Sequence, residues 1–314
     1  MLPSVRALLS GIIDYAGMFP PAQLPLEQAI RNYARYRTEP ESWMLGRFVC
    51  PAARLAELSP FIDELFHDGP PLAVSALWTG GDTIREYSAS AVKDVKAISD
   101  FQNGAENRAS VEAWEFRPLA HLPISTEFDG ILKYIASFLA NSPVNPEFWY
   151  EFPSGPSLAK WLHLLPSLVS VEPTHRQGFK LRCGGAVPSA TPTPDHIALA
   201  IASCSDAGVP MKFTAGLHHA IRHLDAQQGI HGFLNVFCAG VFAHAQGLDK
   251  DQLRLILEDT NPTAFTFDAY GLSWNDRRAT REQIESARRK LVTSFGSCSF
   301  DEPRDDLRAM GLLP

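Results

Sequence analysis

The stretch GFKLRCGGAVPSATPTPDHIALAIASCSDAGVPMKFT (Gly178–Thr214) reads as one complete strand–helix–strand unit. Gly178–Arg182 has the length and apolar content of a short strand. Thr193 and Pro194 form an N-cap and a first helical residue, the apolar run Ile197–Ala202 follows, and Gly208 supplies the stop. Pro210–Thr214 is then a second strand. Strands separated by a helical segment are joined by a crossover, so they lie parallel.

The same cycle can be counted eight times. The strand readings are Gly11–Tyr15, Leu45–Cys50, Leu72–Trp78, Val111–Phe116, Glu147–Phe152, Gly178–Arg182, Pro210–Thr214 and Ala264–Asp268. Between them lie helical patterns. Leu26, Ile30, Tyr33 and Ala34 share one face, and Thr280 with Gln283 makes a capping box before Ile284, Ala287 and Leu291. Phe233–Ala243 is apolar all round and reads as a buried helix. EPRDDLRAMGLLP at the C-terminus reads as a short closing helix. Eight such units predict an α/β fold, a (β/α)8 TIM barrel occupying residues 1–314 as a single domain.

Composition narrows the classes of function. A net charge of −7 argues against nucleic-acid binding, which needs a basic stripe. No apolar run approaches the ~18 residues that would span a bilayer. The opening MLPSVRALLSGIID is interrupted by Asp14 and reads as a first structural element rather than a signal peptide. Five scattered cysteines without a CxxC pair suit neither a zinc site nor a disulfide framework, so a reducing cytoplasm is expected. The expected partner is a small molecule, with no membrane, no cofactor and no metal; a homo-oligomer is left open.

In a barrel the interior is apolar and chemistry sits where strands end. Polar residues at those ends are Asp14, Arg47, Glu115, Arg117, Glu151, Lys180, Arg182, Lys212 and Asp268. Alternation puts Lys180 and Arg182 on one face, and Lys212 and Thr214 on one face. If these faces are internal, two lysines on adjacent strands meet in a desolvated mouth. Burial and a neighbouring cation would lower a lysine's pKa and free an amine able to form a Schiff base with a carbonyl. The alternative is a structural ion-pair network with Glu115, Glu151 or Asp268.

At these residues the sequence resembles the deoxyribose-phosphate aldolase type of class I aldolase. FKLRCGG (Phe179–Gly185) is similar to that family's sixth-strand segment, and MKFTAGLH (Met211–His218) to its seventh. IIDYAGMFPPA (Ile12–Ala22), RFVCPAARLAEL (Arg47–Leu58), YEF (Tyr150–Phe152) and SATPTPDHIALAI (Ser189–Ile201) resemble further segments in the same order. The resemblance implies Lys180 as Schiff-base residue, Lys212 as the cation that lowers its pKa, Glu115 in the position of the family's proton-relaying Asp, and Asp14 as a further catalytic candidate in the position of its first-strand Asp. The chain departs from the pattern in having Glu115 for an Asp, Arg182 beside the lysine, and Ala215-Gly216 followed by His218-His219. The substrate-binding candidates are Arg182, Arg47, Glu151, Gly184, Gly185, Thr214, Gly216, His218, His219 and Asp268.

The expectation is therefore an aldolase- or lyase-like enzyme acting on a small anionic carbonyl or carboxylate metabolite through an imine on Lys180. Two alternatives stand beside it. His218, His219, His223 and His231, with Glu115 and Glu151, could serve a metal-dependent hydrolase or isomerase, although no tight ligand spacing such as HExxH supports this. The other is a non-catalytic barrel that binds a small molecule.

Overall fold

The computed structural model describes residues 1–117, 146–152, 158–165, 176–185, 191–225 and 228–314. Eight parallel strands close into a barrel: β1 (Ile13–Tyr15), β2 (Leu45–Pro51), β3 (Leu72–Leu77), β4 (Ala109–Phe116), β5 (Glu147–Phe152), β6 (Gln177–Arg182), β7 (Met211–Thr214) and β8 (Val292–Ser297). Each neighbours the next in sequence, and β8 closes the ring by pairing with β1, Phe295 opposite Ile13. The chain is thus a (β/α)8 barrel.

Seven of the expected strands fall where the sequence places them, within two residues at each end. The eighth does not. Phe265–Phe267 belongs to a three-stranded antiparallel sheet outside the barrel, paired with Gly271–Trp274, which pairs in turn with Arg277–Thr280. The true β8, VTSFGS, is half polar because Ser294 faces the interior while Phe295 faces out. That composition lacks the apolar run expected of a buried parallel strand.

Ten α-helices are described, and their ends follow local chemistry. We number them α1 (Pro3–Leu9), α2 (Leu26–Tyr36), α3 (Ser59–Leu65), α4 (Ile84–Gly104), α5 (Leu158–Leu162), α6 (Pro194–Ala207), α7 (Phe233–Gln246), α8 (Lys250–Glu258), α9 (Arg281–Lys290) and α10 (Asp301–Ala309). Thr193 caps α6 by accepting from the His196 N–H, and Gly208 ends it in the left-handed region at φ 67°. Thr280 and Gln283 form the capping box of α9. Helix α7 is buried from Phe233 to Ala243. Phe233 stacks on Phe295, and Phe237 packs on Phe213 and Phe295, while α8 and α9 cover its other sides. Sandwiched between barrel and outer helices, it has no polar face.

The amino-terminal end of the barrel interior is plugged. Trp149 fills it, and Arg47 reaches across to Glu112 at 3.0 Å and Glu147 at 3.0 Å. Arg176, just before β6, also pairs with Glu147. Gly178 is required here. A Cβ at that position would collide with the Trp149 ring and sit 2.8 Å from the Pro210 carbonyl oxygen. Gly178→Ala is therefore expected to lose on the order of 2–3 kcal/mol by overpacking. A lowered urea midpoint with an unchanged slope would show it; an unchanged midpoint would mean that this end of the barrel repacks freely.

Candidate active site

Alternation along each strand decides which side chains enter the barrel. On β6 and β7, Phe179 and Phe213 pack against aromatic rings, of Phe152 and of Phe237 on α7, so Lys180 and Lys212 point inward. They lie side by side in register, with Glu151 of β5 opposite Lys180. The same parity brings Asp14, Ser75, Glu115 and Ser294 into the same interior.

These side chains form one continuous network. Lys180 Nζ is 2.6 Å from Glu115 Oε2 and 2.6 Å from Glu151 Oε2. Lys212 Nζ pairs with Glu115 Oε1 and lies 2.8 Å from Asp14 Oδ2. Ser75 Oγ donates to Glu115 Oε1 at 2.6 Å, and Ser294 Oγ donates to Asp14 Oδ2 at 2.8 Å. The backbone N–H of Arg47 donates to the remaining Asp14 oxygen at 2.7 Å. Glu115 is thus shared between the lysines, one oxygen to each. Asp14, Glu115, Lys180 and Lys212 are all buried, Lys212 at 1% exposure.

The electrostatics follow from these contacts. Burial alone would push the Glu115 carboxyl up, but Lys180 and Lys212 outweigh it and hold the group far below the ordinary carboxylate range. Burial likewise opposes ionisation of Glu151, yet Lys180, Arg117 and Arg182 bring it down to about 2. For Lys180, burial favours the neutral amine, and the two glutamates overcome it and raise the pKa above the usual lysine value. The sequence-based expectation was a lysine made neutral by burial and by the cation at Lys212. It is corrected here: Lys180 touches two carboxylates, and Lys212 acts on it only across Glu115.

Toward the mouth, Arg182 Nε lies 3.4 Å from Glu151 Oε1, and Arg117 reaches the same oxygen at 3.0 Å. Thr214 faces Gly296, where a Cβ would lie 3.2 Å from its Oγ1. Gly184 and Gly216 pack backbone to backbone, since a Cβ on Gly184 would fall 2.7 Å from the Gly216 Cα; Gly185 follows on the exposed side. Ala215 adopts φ 56° beside Gly216 at 73°, so the turn leaving β7 holds a non-glycine residue in the left-handed region. His218 pairs with Glu302 and His219 with Asp306, which ties this turn to α10.

Two candidates lie away from this mouth. Arg47 plugs the opposite end of the barrel and meets the network only through its backbone N–H. Asp268 sits in the outer antiparallel sheet and pairs with Arg278 at 2.7 Å. The reading of Ala264–Asp268 as the eighth strand places it at the mouth, whereas the strand that closes the barrel is Val292–Ser297. The histidines do not gather either. His219 and His223 meet edge to face, but His231 is buried apart, bonded to the Pro192 carbonyl, and its pKa is depressed by burial to about 4. Among the described residues no group of three or more His, Cys, Asp or Glu is arranged to hold a metal, and no helix is long and apolar enough to cross a membrane. Ser75 and Ser294 are additions. Ser75 carried a signal, as a lone polar residue within the apolar run LAVSAL; Ser294 lay in a strand not recognised as one.

No protein-family model matches this chain, and no curated protein or solved structure is significantly similar to it. The likeness to aldolases rests on the short motifs alone.

The depressed carboxyls link stability to pH. A group whose folded pKa is lowered contributes stability present above its unfolded value, and loses it as pH falls through the folded value. Glu151, near 2 when folded, contributes on the order of 3 kcal/mol at neutral pH by this linkage. Unfolding free energy should therefore fall steadily as pH drops from about 5 toward 2. Glu151→Gln should flatten that decline in denaturation curves collected across the range; a decline identical to wild type would deny the pairing.

Proposed function

We propose that the barrel mouth forms an imine between Lys180 and a small carbonyl compound, as the first step of a lyase- or aldolase-type reaction. The observation that carries this reading is Lys180 itself, buried at the carboxy-terminal end of its strand with two carboxylates at 2.6 Å. Barrel interiors are ordinarily filled with branched apolar side chains. Five buried charges in that place pay a desolvation penalty of several kcal/mol per ion, which well-packed apolar residues would avoid. A chemical use accounts for their presence.

The raised pKa of Lys180 is compatible with this chemistry. Overall, a lysine ammonium and a carbonyl give a protonated imine and water, with one positive charge on each side of the equation. Glu115 and Glu151 therefore stabilise the iminium in the position where they stabilise the ammonium. What they oppose is the neutral amine that must attack. One of them accepts the departing ammonium proton, and protons return to the carbonyl oxygen as it leaves as water. In a substrate with a hydroxyl β to the carbonyl, the iminium then takes up the electrons of the carbon–carbon bond. A carboxylate removes the hydroxyl proton, leaving an enamine and a second carbonyl. Lys212 holds Glu115 in place from the other side.

A second reading has its own support. The same raised pKa suits a lysine that stays protonated and donates a proton to a substrate oxygen, with no covalent step. Trapping separates the two. Wild-type protein reduced with borohydride in the presence of acetaldehyde, glycolaldehyde or pyruvate should gain one adduct, mapped by mass spectrometry to Lys180. An adduct on Lys212 would reverse the assignment, and none on either lysine would leave the non-covalent reading.

Lys212→Met should still permit trapping, with the pH dependence moved upward. Without Lys212 the Glu115 charge acts on Lys180 undiminished, which favours the ammonium and demands higher pH to free the amine. A tenfold fall in trapping rate at pH 7 corresponds to a limb displaced by about one pH unit. A limb that stays in place would show that Lys212 does not act through Glu115.

A further inference from the structure

We infer that Arg182 is the anchor for a single carboxylate on the substrate, so that the preferred carbonyl compound is a short monocarboxylic acid rather than a phosphate ester. This rests on the imine reading for the carbonyl end alone. Arg182 lies two residues beyond Lys180 on the same face of β6, on the mouth side, with its side chain about one-third exposed. Glu151 Oε1 holds only its Nε edge. Among the described residues, Nη1 and Nη2 have no partner. A guanidinium fixed by one edge with both terminal nitrogens open presents two parallel donors, the geometry that matches the two oxygens of a carboxylate.

Charge points to a monoanion. Among the described residues, the connected ion-pair network around Lys180 joins four cations, Lys180, Lys212, Arg182 and Arg117, to three carboxylates, Asp14, Glu115 and Glu151. The sum is +1, which a carboxylate cancels and a phosphate dianion exceeds. Helix α10 also begins at this end, and its first turn already carries Asp301 and Glu302, which disfavour an anion there. Residues two apart on a strand are roughly 6.5–7 Å apart along it. A chain of two or three carbons between carbonyl and carboxylate suits that spacing.

The test compares three aldehydes in the borohydride assay: succinic semialdehyde, butanal and glyceraldehyde 3-phosphate. Half-maximal labelling of Lys180 should need at least tenfold less succinic semialdehyde than butanal, and the phosphate ester should show no such advantage. Arg182→Ala should abolish the preference, so that within this variant succinic semialdehyde and butanal need equal concentrations for half-maximal labelling, and Arg182→Lys should restore only part of it. Equal concentrations for acid and butanal in the wild type, a preference surviving in Arg182→Ala, or tighter use of the phosphate ester would each overturn the inference. A parallel calorimetric titration with butyrate, which has no carbonyl, reads the same anchor without an imine. Butyrate should bind wild type and bind Arg182→Ala at least tenfold more weakly. If no aldehyde labels Lys180, the imine reading fails, and the butyrate titration alone decides for or against Arg182.

Discussion

The carboxylate of Glu115 is the contact on which the centre of this molecule depends. One oxygen serves Lys180, and the other serves Lys212 and Ser75. Remove it and two ammonium groups remain in a sealed interior with half their compensation gone, a change that typically costs 3–5 kcal/mol in a buried network. The contact also requires the barrel to be closed. β4 and β7 are not neighbours in the sheet, so Glu115 and Lys212 meet only across the interior. Closure makes the network possible, and the network fills the space that closure creates.

Three layers follow along the barrel axis. At the amino-terminal end, Trp149, Arg47, Glu112, Glu147 and Arg176 close the bore. Above them lies the charged layer from Asp14 to Glu151, and above that the rim, where Arg182 and Arg117 converge on Glu151 from partly open positions. The closed end supplies rigidity, and outside the barrel α7 adds to it by wedging its aromatic residues against β7 and β8. The lysine strand β7 is thus held from both sides, by β6 with its own lysine and by a helix buried from Phe233 to Ala243.

Raised basicity at Lys180 changes how its chemistry is understood. A lysine next to another cation is primed by losing its proton. A lysine between two carboxylates is instead poised to carry positive charge, and in the proposed imine chemistry those carboxylates would accept the proton on the way from ammonium to iminium. The hydroxyls of Ser75 and Ser294 fix the orientation of the acids without adding charge. The inner four groups remain electrically balanced while the rim carries the excess.

The sequence by itself determined the repeating strand–helix order, seven of eight barrel strands, and that Lys180 shares a strand face with Arg182 and Lys212 with Thr214. These depend on period-two alternation and on caps such as Thr193-Pro194 and Thr280-Gln283, and such signals act over a few residues. It also marked Glu115, Glu151 and Asp14 as polar residues out of place at strand ends. Only the tertiary structure decided which segment closes the ring. FTF and VTSFGS are both short, and a strand's partner is set by packing rather than by its own composition; hence Asp268 fell outside and Ser294 inside. Only the fold, too, decided that Lys180 faces two carboxylates, and that Arg47 turns to the opposite end of the bore. The sign of a pKa shift depends on which charges lie within a few ångströms across the barrel, and those distances exist only after residues far apart in the chain have been brought together.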